Sequence, residues 1–134
     1  MAFINLNPKS VTGLATVTLF SGRDPFTLIL DTGSNVSHLD KTAASALENI
    51  NVERVDENPV AGICGTMGIT GKARLLFYHD VFTFDHEFMI SDLARLFEAI
   101  KAAGGCQCHG IIGTDFLYKY RCHLDFKKNR LHFG

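Results

Sequence analysis

The sequence predicts a single all-β-dominated domain, residues 1–134, with one longer helix and one or two short ones. Two observations carry this prediction. Short runs rich in β-branched and aromatic residues follow one another along most of the chain, and turns containing Gly, Asn, Asp or Pro separate them. One segment, residues 93–100, has a clear apolar stripe at helical spacing. No linker, low-complexity segment or internal repeat divides the sequence, whose length suits one core.

Composition narrows the classes of partner. The chain is 46% hydrophobic and has a formal net charge of −1, as expected of an ordinary globular protein. We expect no nucleic acid partner, because no basic excess is present to neutralise phosphates. We expect no membrane contact either, since no apolar run approaches the roughly 20 residues that span a bilayer. The N-terminal residues lack the features of a secretion signal, which predicts either a cytoplasmic protein or a segment taken from a longer chain.

In the first half of the chain, strand signals alternate with turns. The segment before Asn7-Pro8 should be extended, because a residue that precedes proline avoids the helical region. Asp40 should cap a short helix with Ala43, Ala46, Leu47 and Ile50 on one face. The predicted strands are residues 3–6, 11–20, 26–30, 36–39 and 52–55, with the second and third forming a hairpin.

In the second half, three strands should precede the longer helix. Ser91 is expected to cap that helix, which carries Leu93, Leu96, Phe97 and Ile100 on one face and ends at Gly104-Gly105. Asp115 should cap a further short helix. The predicted strands are residues 73–78, 81–84, 87–90, 110–112, 121–126 and 130–133, with breaks at His79-Asp80 and Asp85-His86.

The most informative stretch is Leu-Ile-Leu-Asp-Thr-Gly-Ser at residues 28–34. A carboxylate that follows three large apolar residues predicts a buried strand that ends in a tight polar turn, with Asp31 at the edge of the core. Such a carboxylate needs hydrogen-bond donors, because desolvation alone disfavours its charged form. Thr32, Ser34 and the backbone N–H groups of the turn are the available donors.

Glycines recur at positions 62, 65, 68 and 71. Mixed with apolar residues and threonines, they suit a mobile β-hairpin, since fixing glycine costs conformational entropy. An ordinary surface loop fits the composition equally well.

These segments together resemble the retropepsin-like (retroviral-type) aspartic proteases, and especially their single-domain bacterial relatives. The resemblance rests on residues 28–34, on Gly-Ile-Ile-Gly-Thr-Asp-Phe-Leu at residues 110–117, and on the glycine-rich segment between them. It covers residues 11–133 and implies a retropepsin-like barrel or sandwich. It also implies that Asp31 is catalytic. Because the chain contains one Asp-Thr-Gly, the resemblance implies a homodimeric endopeptidase that acts on peptide or protein substrates.

The resemblance also assigns supporting roles. Thr32 would bond across the dimer, Ser34 would donate to the outer carboxylate oxygen, and Gly33 would let the main chain pass close to the catalytic pair. Ile111, Ile112 and Gly113 would form the strand that supports the catalytic loop. The flap over the substrate would contain Gly65, Thr66, Met67 and Gly68, with Thr66 or Met67 near its tip.

Two positions depart from the retroviral pattern. Retroviral enzymes usually carry an Asp directly after the catalytic loop and an Arg after the later glycine, and these residues form an ion pair. Here the positions are Asn35 and Thr114, so both partners are absent and no unpaired buried charge remains. Dimer contacts are then expected from the terminal strands, residues 3–6 and 131–133.

Alternative interpretations remain. Cys106, Cys108 and His109 suggest a metal site completed by Cys64, Cys122 or His123, but Cys-x-Cys has only one intervening residue, whereas zinc thiolate pairs usually have two or more. We therefore expect no metal, no cofactor and four reduced thiols. Asp115 is interpreted as structural rather than as a second catalytic acid. A non-catalytic peptide-binding or dimerisation module is the alternative to an enzyme.

Overall fold

The computed structural model describes residues 2–47, 51–54, 60–62, 65–67 and 69–134. The strands within these residues are β1 (Ala2–Asn5), β2 (Thr16–Ser21), β3 (Asp24–Leu30), β4 (His38–Asp40), β5 (Glu53–Arg54), β6 (Val60–Gly62), β7 (Gly65–Met67), β8 (Ile69–His79), β9 (Phe82–Ser91), β10 (Gly110–Ile112), β11 (His123–Asp125) and β12 (Arg130–Phe133). The helices are α1 (Lys41–Ser45), α2 (Ala94–Ala102) and α3 (Thr114–Lys119). No helix in this part of the chain is long and apolar enough to cross a membrane.

Six of these strands close into a barrel. Their order is β2-β3-β10-β4-β9-β8, and β2 pairs with β8 at Phe20 and Tyr78 to complete the ring. β5 adds to β8 outside the ring. The prediction of an all-β-dominated fold with one longer and one or two short helices is confirmed for the described residues, which contain two short ones.

The barrel core contains a group of aromatic rings among its aliphatic side chains. Phe77 meets Phe26 and Phe88 edge to face, at centroid distances of 5.6 and 5.5 Å. Phe84 packs against Phe116, which α3 brings to the barrel, with centroids 5.5 Å apart. Aromatic pairs at these distances stabilise beyond the area that they bury. The core thus fastens α3 to the strands.

Helix α2 covers the other face of the sheet. Leu93 and Phe97 are buried against Ile29 and Ile111, which alternate in sequence with residues of the barrel interior. The predicted apolar stripe and its stop are confirmed, because the helix ends before Gly104, whose φ of +93° suits glycine.

The terminal strands form a separate three-stranded sheet in the order β1-β12-β11. Ala2 lies opposite Phe133 in the antiparallel β1–β12 pair. The guanidinium of Arg130 lies 4.0 Å from the ring centre of Phe3. The strands that the sequence assigns to dimer contacts therefore pair with each other within one chain.

The predicted strand break at Asp85-His86 is wrong. β8 and β9 form one long hairpin whose turn lies at Asp80 and Val81, one residue beyond the other predicted break at His79-Asp80. Polar residues continue β9 because each has a partner. Arg74 Nε lies 2.9 Å from Asp85 Oδ1 across the hairpin, and His86 is buried with its Nε2 bonded to an aspartate.

The predicted cap of the longer helix is also wrong, whereas the Asp40 cap is confirmed. Ser91 ends β9, and α2 begins at Ala94. Asp40 Oδ2 accepts from the Thr42 N–H of α1, and its Oδ1 accepts from the Leu93 N–H. Asp40 thus holds the starts of both helices.

Other bounds also differ from the prediction. The first hairpin strand begins at Thr16 rather than at residue 11, and β5 has two residues. α1 has five residues, so the predicted helical face is only partly realised. Ile50, its last predicted member, lies outside the described residues.

Candidate active site

Asp31 directly follows β3, as the sequence predicts. Its N–H donates to the Ile112 carbonyl at 2.9 Å, which extends the parallel pairing of β3 with β10. Its Oδ1 accepts from the Gly33 N–H at 2.9 Å, and its own carbonyl accepts from the Ser34 N–H. The carboxylate therefore sits in a tight turn at a strand end and remains partly exposed.

The two hydroxyls of the turn have different surroundings. Ser34 is fully buried, and its Oγ donates to the Val36 carbonyl at 2.7 Å instead of to the Asp31 carboxylate. This bond satisfies a carbonyl that the fold turns inward. Thr32, in contrast, is exposed.

The supporting strand passes through a very narrow space. A Cβ on Gly113 would lie 2.4 Å from the Val36 carbonyl oxygen and 2.7 Å from that of Ser34. A Cβ on Gly110 would lie 2.5 Å from the His38 carbonyl oxygen. The backbones thus approach each other closely here, and only glycine fits at these two positions.

Asp115 connects three parts of the fold. It lies in the first turn of α3, whose N-cap is Gly113, so it is not the cap residue that the sequence predicts. Oδ2 accepts from the Ser37 N–H at 3.0 Å and from His86 Nε2 at 2.8 Å. Oδ1 accepts from Ser37 Oγ at 2.7 Å and from the Phe116 N–H at 2.8 Å.

These four bonds determine the charge state of Asp115. Burial alone would raise the pKa of its carboxyl, but the donors on His86, Ser37 and Phe116 outweigh burial and lower that pKa. The carboxylate stays charged and engaged on both oxygens, which supports a structural role.

His38 is a feature near the site that the sequence does not reveal. Its ring is fully buried on β4 beside Ile111, and its Nδ1 lies 2.8 Å from Ser91 Oγ. Nε2 has no hydrogen-bond partner in the described part of the chain. Burial lowers the pKa of this imidazole, and the charges of Asp115 and Asp31 oppose that shift only in part.

An apolar cavity of about 260 Å³ opens beside Asp31. It is formed by the end of β3, the middle of β10, one face of α2 and the segment before β2. Its lining residues are Leu14, Ile29, Leu30, Asp31, Leu96, Ile100 and Ile111. Larger grooves exist, such as one of about 400 Å³ around Asn7 and Phe126, but Asp31 does not line it.

The glycine-rich segment contains an antiparallel pair of short strands. Val60 lies opposite Met67, and Gly62 lies opposite Gly65. This pairing agrees with the hairpin interpretation rather than with a plain loop. It places Thr66 and Met67 within β7 instead of at the turn. Gly68 and residues 63–64 lie outside the described residues.

The cysteines form no metal centre that the structure reveals. Sγ of Cys106 lies 3.9 Å from that of Cys108, and no group of three or more His, Cys, Asp or Glu side chains is arranged for a metal among the described residues. Cys106, Cys108 and Cys122 are free thiols. Burial raises the pKa of Cys108, next to Cys106, to about 12 and that of Cys122 to about 11. Cys64 lies outside the described residues.

No protein-family model matches this sequence, and no curated protein matches it. Solved structures match its fold. EIAV protease, complexed with the inhibitor HBY-793, is 14% identical, with 81% of this chain and 89% of that chain covered at a TM-score of 0.58. The retroviral protease-like domain of Ddi1 from Leishmania major is 18% identical, with 90% and 88% covered at a TM-score of 0.66. The chain therefore has a retropepsin-like fold.

Proposed function

We propose that this chain, which has the retropepsin-like fold, is an aspartic endopeptidase that works as a homodimer, with one Asp31 from each copy in a shared site. The observation that carries the proposal is the setting of Asp31. Its partly exposed carboxylate ends a buried strand, receives the Gly33 N–H and borders an apolar cavity. Concave apolar sites with a few converging polar groups are the usual form of ligand sites.

A second carboxylate has to come from a second copy. The chain has one Asp-Thr-Gly sequence, and Asp115 has both oxygens occupied by donors of its own chain. A two-fold axis through the exposed side of the turn brings two Asp31 side chains together, because such an axis places the same residue on both sides. The exposed Thr32 would lie at the same contact.

The chemistry follows from the proximity of two like charges. Two carboxylates about 3 Å apart, as in known aspartic-protease dyads, share one proton because they cannot both ionise. The charged carboxylate then acts as a general base on a bound water. The protonated one polarises the peptide carbonyl and donates its proton as a general acid. Such a reaction needs neither a metal nor a covalent intermediate.

The substrate would be an extended peptide. A peptide in strand conformation can lie between the hairpin of β6 and β7 and the floor made by β3 and β10, with alternate side chains in pockets. Closure of that hairpin would exclude water from the reacting bond, which is the role of a flap. The apolar lining near Asp31 favours hydrophobic residues around the scissile bond.

The test compares wild type with Asp31→Asn on a peptide library between acidic and neutral pH. Cleavage should fall by about 100-fold or more in the variant, because loss of a general acid or base typically costs that much. Asp80→Asn is the matched control, since Asp80 is an exposed turn residue and Asn tolerates its φ of 53°. Sedimentation should show a wild-type dimer.

Two results would contradict the proposal. Equal cleavage by wild type and Asp31→Asn would remove Asp31 from the chemistry. No cleavage of any peptide by a verified dimer would favour a non-catalytic peptide-binding module with the same fold.

A further inference from the structure

We infer that Cys106 and Cys108 form a redox site that a low-molecular-weight disulfide, such as oxidised glutathione, converts reversibly into an intramolecular disulfide. The pair lies in the segment that joins α2 to β10. Its chemistry is separate from the proposed peptidase reaction and does not depend on it. The observation that carries the inference is the position of the two sulfur atoms relative to each other.

The two thiols already face each other. Sγ of Cys106 lies 3.9 Å from Sγ of Cys108, and the Cys108 thiol donates to the Cys106 carbonyl at 3.6 Å. The S–S distance in a disulfide is about 2.05 Å, so closure brings the two sulfurs closer by about 1.9 Å. Because Cys106 is exposed, its side chain can turn toward Cys108 without displacing buried groups.

The two cysteines have different surroundings, which determines the order of the reaction. Cys106 is exposed, whereas Cys108 is 2% exposed and packs with Leu93, Phe97 and Ile111. Burial also raises the pKa of the Cys108 thiol, so little of it is in the thiolate form that attacks a disulfide. An incoming disulfide therefore reacts first with Cys106, and Cys108 completes the exchange.

The exchange has two steps. The Cys106 thiolate attacks one sulfur of oxidised glutathione and forms a disulfide with it, and the second glutathione leaves as a thiolate. Cys108 then loses its proton and attacks Sγ of Cys106, which releases the first glutathione. Two protein thiols thus lose two hydrogen atoms, and one glutathione disulfide is reduced to two glutathione thiols. The short distance between the sulfurs makes the second step intramolecular, which compensates for the low thiolate fraction of Cys108.

The fold holds Cys108 in place from its C-terminal side. The His109 N–H donates to the Thr27 carbonyl at 2.8 Å, and the His109 carbonyl accepts from the Asp40 N–H at 2.9 Å. The Thr27 N–H donates to His109 Nδ1 at 3.0 Å. Cys106 is therefore the residue that moves on closure. The disulfide closes a loop with one residue between the cysteines, and so short a loop gains little from chain entropy, so excess reduced glutathione should reopen it.

Peptide mapping of the wild-type chain tests this inference. The folded protein is equilibrated at neutral pH in glutathione buffers from fully reduced to mostly oxidised, then quenched in acid, alkylated under denaturing conditions and digested with trypsin. Cleavage after Lys101 and Lys119 yields one peptide that contains Cys106 and Cys108 but no other cysteine. In oxidising buffer this peptide should lose two hydrogen atoms and escape alkylation. It should regain both thiols when excess reduced glutathione is added.

Three single variants separate the roles of the two thiols. Cys108→Ser should keep one glutathione on Cys106, because no second thiol releases it. Cys106→Ser should react at Cys108 at least about tenfold more slowly than Cys108→Ser reacts at Cys106, because a buried thiol with a raised pKa is a poor nucleophile. Cys122→Ser is the matched control and should form the same disulfide as the wild type.

Three results of the mapping would overturn the inference, and none of them depends on a variant that folds. The peptide would keep both thiols in every buffer, glutathione would remain attached to wild-type Cys106, or the disulfide would join two chains instead of two cysteines of one peptide. Equal rates for Cys106→Ser and Cys108→Ser would refute the order of attack.

Discussion

Substitution of Asp115 by asparagine probes how the segment that follows the Asp31 turn is held. The carboxylate accepts two bonds on each oxygen, and each oxygen receives one backbone N–H, from Ser37 or from Phe116. An asparagine must place its NH₂ group at one of the two oxygen positions. In either orientation, therefore, the NH₂ group faces another donor, and one backbone N–H is left without an acceptor.

The expected cost follows from that conflict. A buried donor left unsatisfied costs about 1–3 kcal/mol, and the charge-assisted bonds that are lost contribute about 1.5–3 kcal/mol each. Allowing for partial exposure and rearrangement, we expect the free energy of unfolding of Asp115→Asn to fall by about 2–4 kcal/mol at pH 7. Asp85→Asn, which removes an exposed ion pair with Arg74, should cost about 0–1 kcal/mol.

Urea denaturation followed by circular dichroism measures both variants. The pKa of Asp115 is lowered in the folded chain, so its contribution is complete above the unfolded carboxyl pKa of about 3.9 and is lost as the pH falls through the lower folded value. The difference between wild type and Asp115→Asn should therefore narrow in strong acid. A loss below about 0.5 kcal/mol at pH 7, or equal losses for both variants, would refute the structural role of Asp115.

Two further substitutions test the surroundings of the site. Gly113→Ala places a Cβ 2.4 Å from the Val36 carbonyl oxygen, so the two backbones must separate. We expect the free energy of unfolding, measured by urea denaturation, to fall by about 3 kcal/mol or more, and cleavage to be abolished. Near-wild-type stability would contradict the close approach. Burial lowers the pKa of His38, so the imidazole takes up a proton more readily in the unfolded chain than in the folded one. The contribution of neutral His38 to the free energy of unfolding is therefore complete above the unfolded pKa of about 6.5 and falls as the pH decreases. His38→Gln should lose less stability than wild type between pH 7.5 and 5.5, and parallel pH curves for the two proteins would refute this.

The sequence predicts those parts of the site whose structure depends on residues adjacent in sequence. Three apolar residues before Asp31 predict a strand end, and glycines around Ile111 and Ile112 predict a strand against another backbone. Both depend on neighbours in sequence. No side chain fits at Gly110 or Gly113, so glycine at these positions indicates that another backbone lies close by.

The predictions fail where a polar residue bonds to a partner that is distant in sequence. Asp85 and His86 have the composition of a turn, yet Arg74 and Asp115 pair with them and β9 continues. Ser91 has the composition of a helix cap, yet its hydroxyl lies 2.8 Å from His38 Nδ1, 53 positions away in sequence. Such partners are defined by the fold, and no local pattern contains them.

The pairing of β3 with β10 also determines at which stage of folding the site around Asp31 can form. The bond from Asp31 N–H to the Ile112 carbonyl and the bonds from Ser37 to Asp115, 78 positions apart, each close a very long loop of chain. Closing a loop of that length costs entropy before any contact compensates for it, so these contacts are expected to form late in folding. A nascent chain that has exposed residue 100 but not residue 110 contains Asp-Thr-Gly but lacks β10 and α3. The turn that contains Asp31 is therefore organised only after these two elements become available.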